Sequence, residues 1–143
     1  MLGVVLLYVG IVLINNGIAR LTNVDNRSTA VMNYFTGALS IIINIITIVH
    51  GDFKSLDGIG DFYSAATGLL FGFTYLYVAV NSTFNLDPRL YGWYSLFVAI
   101  NTIPAAYIEN VLKKKLEWVP YLAVFEGIVT AWIPGFLILT NLW

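Results

Sequence analysis

The chain contains no cysteine and a single histidine, His50, among its 143 residues. Without cysteine, disulfide bonds, thiol nucleophiles and cysteine-ligated metals are excluded, and the redox compartment cannot be assigned. The sequence also lacks a His-x-x-x-Glu-type metal pair, a Ser/His/Asp set and a phosphate-binding loop. We therefore expect a protein that is not an enzyme, with no catalytic residue, no bound metal and no cofactor.

Charged residues are also scarce. They make up only 10% of the chain, whereas hydrophobic residues make up 59%. The mean hydropathy is +0.80. A soluble domain carries about 25% charged residues, so this composition could not solvate a water-exposed surface. A net charge of −1 also gives no basic stripe for a nucleic acid. The composition therefore indicates an integral membrane protein, with the lipid bilayer as its surroundings.

The few charges divide the chain into five apolar stretches. They cover residues 2–19, 31–50, 62–81, 91–109 and 118–139. Each is long enough to cross a hydrocarbon core of about 30 Å as a helix, and helices satisfy their own backbone hydrogen bonds in lipid. The sequence thus predicts an all-α, polytopic membrane helix bundle that forms one domain over residues 1–143.

The first stretch lacks the basic start and the Ala-x-Ala site of a cleaved signal peptide. We interpret it as a membrane helix. An uncleaved signal anchor is the alternative, and it would also cross the membrane.

The basic residues test the number of spans, because they concentrate in cytoplasmic loops. With five spans, one side carries Arg20, Arg27 and Arg89, and the other carries Lys54, Lys113, Lys114 and Lys115. That division gives no orientation. One more span between the fourth and the fifth would leave Lys54 alone on its side. The charges therefore predict six spans, both termini outside, and a segment missing near residues 105–107. A true five-span chain with weak orientation signals is the alternative.

Glu126 is the one charged residue in the fifth stretch. A carboxylate at the bilayer centre costs about 2.5–3.5 kcal/mol on insertion scales unless it faces protein or water, so it is a candidate functional residue. Thr130 follows on the same helix face, and Pro134 can free the carbonyl of Thr130 because proline has no N–H. The alternative is a Glu126 that snorkels to the helix end and a kink that only serves packing.

Two stripes at helical spacing end in amides. They comprise Leu6, Val9, Leu13 and Asn16 in the first span, and Phe73, Tyr77 and Asn81 in the third. Such stripes are often packing surfaces. Their polar ends favour a water-filled passage, because amides and hydroxyls in lipid seek protein or water. The glycine pairs Gly3/Gly10 and Gly68/Gly72 predict close helix packing.

Several long segments resemble the amide/urea channel family, AmiS/UreI. They include LLYVGIVLINNG at 6–17, ATGLLFGFTYLY at 66–77, WYSLFVAINTIPA at 93–105 and FEGIVTAWIP at 125–134, with a shorter match at 28–33. The segments are ordered and spread over nearly the whole chain. The chain looks like a close relative of the bacterial urea channels.

This resemblance implies a six-helix protomer in the bacterial cytoplasmic (inner) membrane and a homohexameric ring with a pore through each protomer. It implies passive conduction of urea or short aliphatic amides to a cytoplasmic urease or amidase. Leu6, Val9, Leu13 and Phe73 match pore-constriction residues of the family, and Tyr77 and Glu126 match residues important for conduction.

The chain departs from the family pattern in two places. The block that ends at Ala105 is followed directly by a segment like Tyr107–Leu112, although in the family a loop and a fifth, Trp-rich helix lie between them. About 35 residues would supply such a loop and span. Acid-gated relatives also carry several histidines in their outer loops, whereas this chain has only His50. We expect conduction without acid gating.

Two other functions are compatible with the sequence. A proton-coupled small-molecule transporter would use Glu126 as its proton site. A non-conducting membrane subunit would follow if the missing helix leaves the pore wall open.

Overall fold

The computed structural model describes residues 2–52, 56–112 and 133–140. Every regular element in these ranges is an α-helix. They are α1 (Leu2–Thr22), α2 (Asn26–His50), α3 (Leu56–Phe84), α4 (Arg89–Leu112) and α5 (Ile133–Leu139). The all-α prediction is confirmed. Helices α1 to α4 contain the first four predicted spans, whereas only residues 133–139 of the fifth are described.

The helices are longer than the apolar stretches, and their connections are correspondingly short. Only residues 23–25 separate α1 from α2, where the sequence suggested a loop of about ten residues. Asn23 has a left-handed φ of 54°, and the N–H of Val24 donates to the carbonyl of Ala19 at 3.1 Å, so α1 ends in a Schellman motif. The carboxylate of Asp25 then accepts from the N–H groups of Arg27 and Ser28 and caps α2.

The end of α3 repeats this arrangement. Asn85 has a φ of 51°, and the N–H of Leu86 donates to the carbonyl of Asn81 at 3.2 Å. Asparagine tolerates the left-handed conformation better than most residues, which explains why both helices end there. The polar residues near these two ends are therefore part of the helices, so α1 and α3 are longer than the apolar stretches that they contain.

The described contacts divide into two units, the first formed by Met1–Ile45 with Gly68–Asp87 and the second by Ile46–Thr67 with Pro88–Trp143.

Within the first unit, the polarity of α2 is opposite to that of a helix in a soluble protein. Its buried residues are small or polar, namely Ala30, Asn33, Thr36, Gly37, Ser40 and Asn44. Its large apolar side chains Phe35 and Ile42 are exposed. Exposing these apolar side chains to water would be unfavourable. Exposing them to lipid is not, because lipid tails are as apolar as leucine. In the described residues, Asn26–His50 and Phe62–Phe84 are long and apolar enough to cross a membrane, and Leu7–Thr22 is a shorter apolar helix.

Helices α2 and α3 approach closely at a glycine contact. A Cβ on Gly37 would lie 2.8 Å from the Leu76 side chain and 2.9 Å from the carbonyl oxygen of Gly72. A Cβ on Gly68 would overlap the side-chain amide of Asn44. The predicted close packing at Gly68/Gly72 is therefore confirmed. The same prediction is wrong for Gly10, where a Cβ would have no other atom within 4 Å.

Polar side chains bind α2 to both of its neighbours. The Ser40 hydroxyl donates to the Gly68 carbonyl of α3 at 3.1 Å, and the Tyr34 hydroxyl donates to Thr83 at 3.2 Å. On the other side, Asn33 pairs with Asn16 of α1. Helix α2 therefore lies between α1 and α3 and joins them through its polar face.

In the second unit, α5 packs antiparallel to the start of α4. A Cβ on Gly92 would lie 2.9 Å from the Thr140 side chain, whereas Gly135 lies opposite Ser95, with 4.0 Å from its Cβ position to the Ser95 hydroxyl. Residue numbers thus rise along α4 as they fall along α5. The end of α5 therefore lies beside the beginning of α4.

The rings of Trp93 and Phe136 stabilise this antiparallel pair. Their centroids are 4.9 Å apart, with an interplanar angle of 66°, which is an edge-to-face arrangement. In a chain with one more span between them, α4 and the last helix would run in the same direction. The described structure does not have that geometry.

We predict that Gly68→Ala destabilises the first unit by about 1–3 kcal/mol, the range for overpacking a close contact. The new methyl group would overlap the Asn44 side-chain amide. This amide cannot easily move away, because it donates a hydrogen bond to the Ser40 carbonyl at 2.7 Å. The measurement is the thermal unfolding midpoint of the purified protein in detergent. Gly10→Ala is the matched control and should leave the midpoint unchanged. Equal losses in both variants would contradict the contact.

Candidate functional site

The predicted stripe on α1 borders the packed face of that helix. Val5 and Val12 form its buried face, at 6% and 0% exposure. Val9 and Asn16 are half-buried beside them, and Leu13 is 58% exposed. The side chain of Leu6 lies outside the described residues. The α1 stripe thus extends from the buried face of the helix to an exposed face. Asn16 lies near the buried face, and Leu13 lies on the exposed one.

The predicted stripe on α3 faces away from α2. At about 100° per residue, Phe73, Tyr77 and Asn81 lie roughly 100–180° around the helix from Gly72, which contacts α2. Phe73 is 48% exposed, and Tyr77 and Asn81 are half-buried. The glycine contact therefore fixes the rotation of α3, and that rotation sets where the three side chains lie.

Asn81 has a buried acceptor without a partner. Its Oδ1 atom is shielded from solvent and accepts no hydrogen bond. Buried polar atoms are nearly always satisfied, and an orphaned one costs about 1–3 kcal/mol. Such an atom on the predicted conducting stripe could accept an N–H from a molecule that enters the structure.

Asn16, the amide at the end of the α1 stripe, has a protein partner. It exchanges two hydrogen bonds with Asn33, which is 0% exposed. The sequence analysis missed Asn33, although the residue carries a visible signal: an amide within a long apolar stretch needs a partner.

Glu126 and Thr130 lie outside the described residues. Their assignment as conducting residues is therefore still a prediction.

The described stripes can make hydrogen bonds, and they carry no charge. The stripes contain two amides, one phenol hydroxyl and apolar side chains. In residues 2–52, 56–112 and 133–140, no group of three His, Cys, Asp or Glu side chains could hold a metal ion. Such surfaces suit a small, neutral, polar solute better than an ion, which would need stronger dipoles or opposite charge.

An α-helical bundle with a small and polar interior, a large apolar exterior and uncharged polar stripes is the architecture of a membrane transporter. The sequence profile of the AmiS/UreI family transporters matches residues 1–118 and 105–142. The chain belongs to this family. A transporter family also agrees with the expectation that the chain is not an enzyme.

Two relatives illustrate the range of the family. The chain is 47% identical to the acid-activated urea channel of Helicobacter pylori, in an alignment that covers 100% of both proteins. It is 36% identical to an amidate substrates transporter protein of Mycolicibacterium smegmatis over 55% of this chain and 51% of that protein.

A solved structure supports the same fold. The cryo-EM structure of the Helicobacter pylori urea channel in its closed state superposes on this chain with a TM-score of 0.67. The two chains are 48% identical, and the match covers 100% of each.

The comparisons also show that this chain is shorter than its Helicobacter pylori relative. The alignment with the Helicobacter pylori channel runs over 194 positions, 51 more than the 143 residues of this chain. The two matched parts of the family profile overlap on residues 105–118. An overlap arises when one stretch resembles both the end of one family segment and the start of a later one. The segment missing near residues 105–107 stays a prediction.

Proposed function

We propose that this protein is a passive channel for urea or short aliphatic amides across the bacterial cytoplasmic membrane. The observation that carries the proposal is the α3 stripe of Phe73, Tyr77 and Asn81, which faces away from α2 and ends in an unpartnered, buried amide oxygen. Relatives described as a urea channel and an amidate transporter give the class of permeant.

The chemistry of the permeant explains why such a stripe is useful. Urea is small, planar and neutral, and it loses hydrogen bonds to water when it enters a narrow pore. Asn81 could replace one of them, and Tyr77 another. The ring of Phe73, with Val9 and Leu13 of α1, would supply an apolar constriction that a flat amide passes and a hydrated ion does not.

The remaining conducting residues are proposed from the family resemblance and the sequence. Leu6 would join the constriction, and Asn16, Glu126 and Thr130 would complete the line of polar groups. Conduction would run downhill and would be drawn by hydrolysis of the permeant in the cytoplasm.

Assembly and topology are part of the proposal. We propose a homohexamer, as the family resemblance implies. A chain with the additional span would have both termini outside. The antiparallel packing of α5 on α4 instead favours termini on different sides for the present chain, because the end of α5 lies beside the beginning of α4.

This topology gives a prediction. Arg89 is the first residue of α4, and basic residues favour the cytoplasm. A reporter fused after Trp143 should therefore be cytoplasmic, with GFP fluorescent and alkaline phosphatase inactive. The control inserts the same reporters into the loop near Asp52, where the activities should be reversed. An active C-terminal phosphatase would contradict the antiparallel arrangement.

The second prediction tests the α3 stripe. Asn81→Leu removes the unpartnered acceptor and should lower the urea permeability of proteoliposomes roughly two- to tenfold, the value of one hydrogen bond. Asn101→Leu is the matched control, because the Asn101 amide already donates to the Phe97 carbonyl of its own helix at 2.8 Å. It should conduct like the wild type. Equal urea permeability of the two variants would contradict the assignment of Asn81 to the pore.

The third prediction separates a channel from a proton-coupled transporter that uses Glu126. In stopped-flow assays, urea flux should follow the urea gradient alone and should differ less than about twofold between external pH 5.5 and 7.5. This expectation follows from the sequence, which contains a single histidine, whereas acid-gated relatives carry several in their outer loops. Uphill urea accumulation driven by a pH gradient and abolished in Glu126→Gln would establish the transporter instead.

A wild-type protein that assembles in the membrane and conducts neither urea nor acetamide would favour the third function, a non-conducting membrane subunit.

A further inference from the structure

Asn16 and Asn33 form a reciprocal pair of side-chain amides between α1 and α2. The Asn33 Nδ2 donates to the Asn16 Oδ1 at 2.8 Å, and the Asn16 Nδ2 donates to the Asn33 Oδ1 at 3.2 Å. Two hydrogen bonds between planar groups fix both their distance and their relative orientation. The pair therefore holds the amide plane of Asn16 in one position.

The two amides differ in how many of their hydrogen-bonding groups are already used. Asn33 is fully buried, and its second N–H donates to the Thr29 carbonyl at 2.9 Å. Both of its N–H groups are thus used. Asn16 is half-buried and uses one N–H and one oxygen lone pair on Asn33. A primary amide has two N–H groups and two acceptor sites, so among the described residues one of each on Asn16 has no partner.

The pair therefore gives α1 a preoriented donor. A free asparagine on a helix surface would rotate about its two side-chain torsions, and a passing solute would have to order it. With Asn33 in place, the available N–H of Asn16 keeps a fixed direction. A fixed donor distinguishes solutes by the acceptor they present to it.

We propose that Asn33 is a positioning residue, and that it orients Asn16 to donate one hydrogen bond to the carbonyl oxygen of the permeating solute. The permeant class is thereby narrowed to planar compounds with a carbonyl acceptor, such as urea and primary amides. This inference rests on the proposed channel function, because it places Asn16 on the conduction path.

A purely structural role for Asn33 makes a different prediction. If the pair only joined α1 to α2, its loss would change the amount of assembled protein or the flux of every solute by the same factor. An oriented donor instead affects solutes according to their acceptors. Thiourea supplies the comparison, because it is planar like urea and its sulfur is a much weaker acceptor than oxygen.

The experiment measures urea and thiourea permeabilities of the full-length protein in proteoliposomes. We expect the wild type to favour urea, and Asn33→Leu to lower the urea-to-thiourea ratio roughly three- to tenfold, the value of one hydrogen bond. Asn33→Ser is the second variant in case the leucine protein does not assemble, since serine can still donate to its own helix backbone. It should lower the ratio similarly.

Ser40→Ala is the matched control on the same helix. Ser40 is also buried and joins α2 to a neighbour, but its bond runs to the Gly68 carbonyl of α3 and does not involve Asn16. This variant should keep the wild-type ratio. In an Asn16→Leu background the donor is absent, so Asn33→Ser should no longer change the ratio.

The outcomes separate the inference from the function on which it rests. An unchanged ratio in both Asn33 variants, with wild-type urea flux intact, would overturn the positioning role and leave the channel standing. A ratio that falls equally in Ser40→Ala would also overturn it. No urea flux in the wild type would refute both proposals.

Discussion

The structure depends on one constraint, which is that polar groups inside a lipid bilayer must find their partners within the protein. Helix α2 meets this constraint with a buried face made only of small and polar residues. That face binds α1 through Asn33 and α3 through Ser40 and Tyr34, so three helices are joined by hydrogen bonds and close backbone contacts. The large apolar side chains are left for the lipid. The placement of both candidate stripes follows from how α1 and α3 are held against α2.

Much of this fold could be predicted from the sequence because its strongest signals are local. Gaps between charges gave the helices, and the spacing of Gly68 and Gly72 gave their close packing. Partners across helices could not be predicted in the same way. The spacing indicated that Asn16 ends a stripe on α1, but only the packing of α1 against α2 shows that Asn33 holds it. Whole-helix patterns report periodicity, and they carry no information about which neighbour each face meets.

The last third of the chain illustrates a second limit. Loop charges predicted an additional span, which stays a prediction, and the alignment with the Helicobacter pylori channel is 51 positions longer than this chain. In the described structure, α5 nevertheless packs antiparallel against α4, with Trp93 against Phe136. An orientation predicted from loop charges depends on how many spans lie between the loops, whereas the direction of α5 follows from the residues that it contacts.

The turn between α1 and α2 has a consequence for biosynthesis. Its helix stop at Asn23 and its helix start at Asp25 lie within three residues, and their hydrogen bonds reach only from Ala19 to Ser28. The amide pair that then joins the two helices also lies entirely within the first 33 residues. The N-terminal hairpin can thus close and enter the bilayer as a finished piece while the ribosome is still translating the remainder.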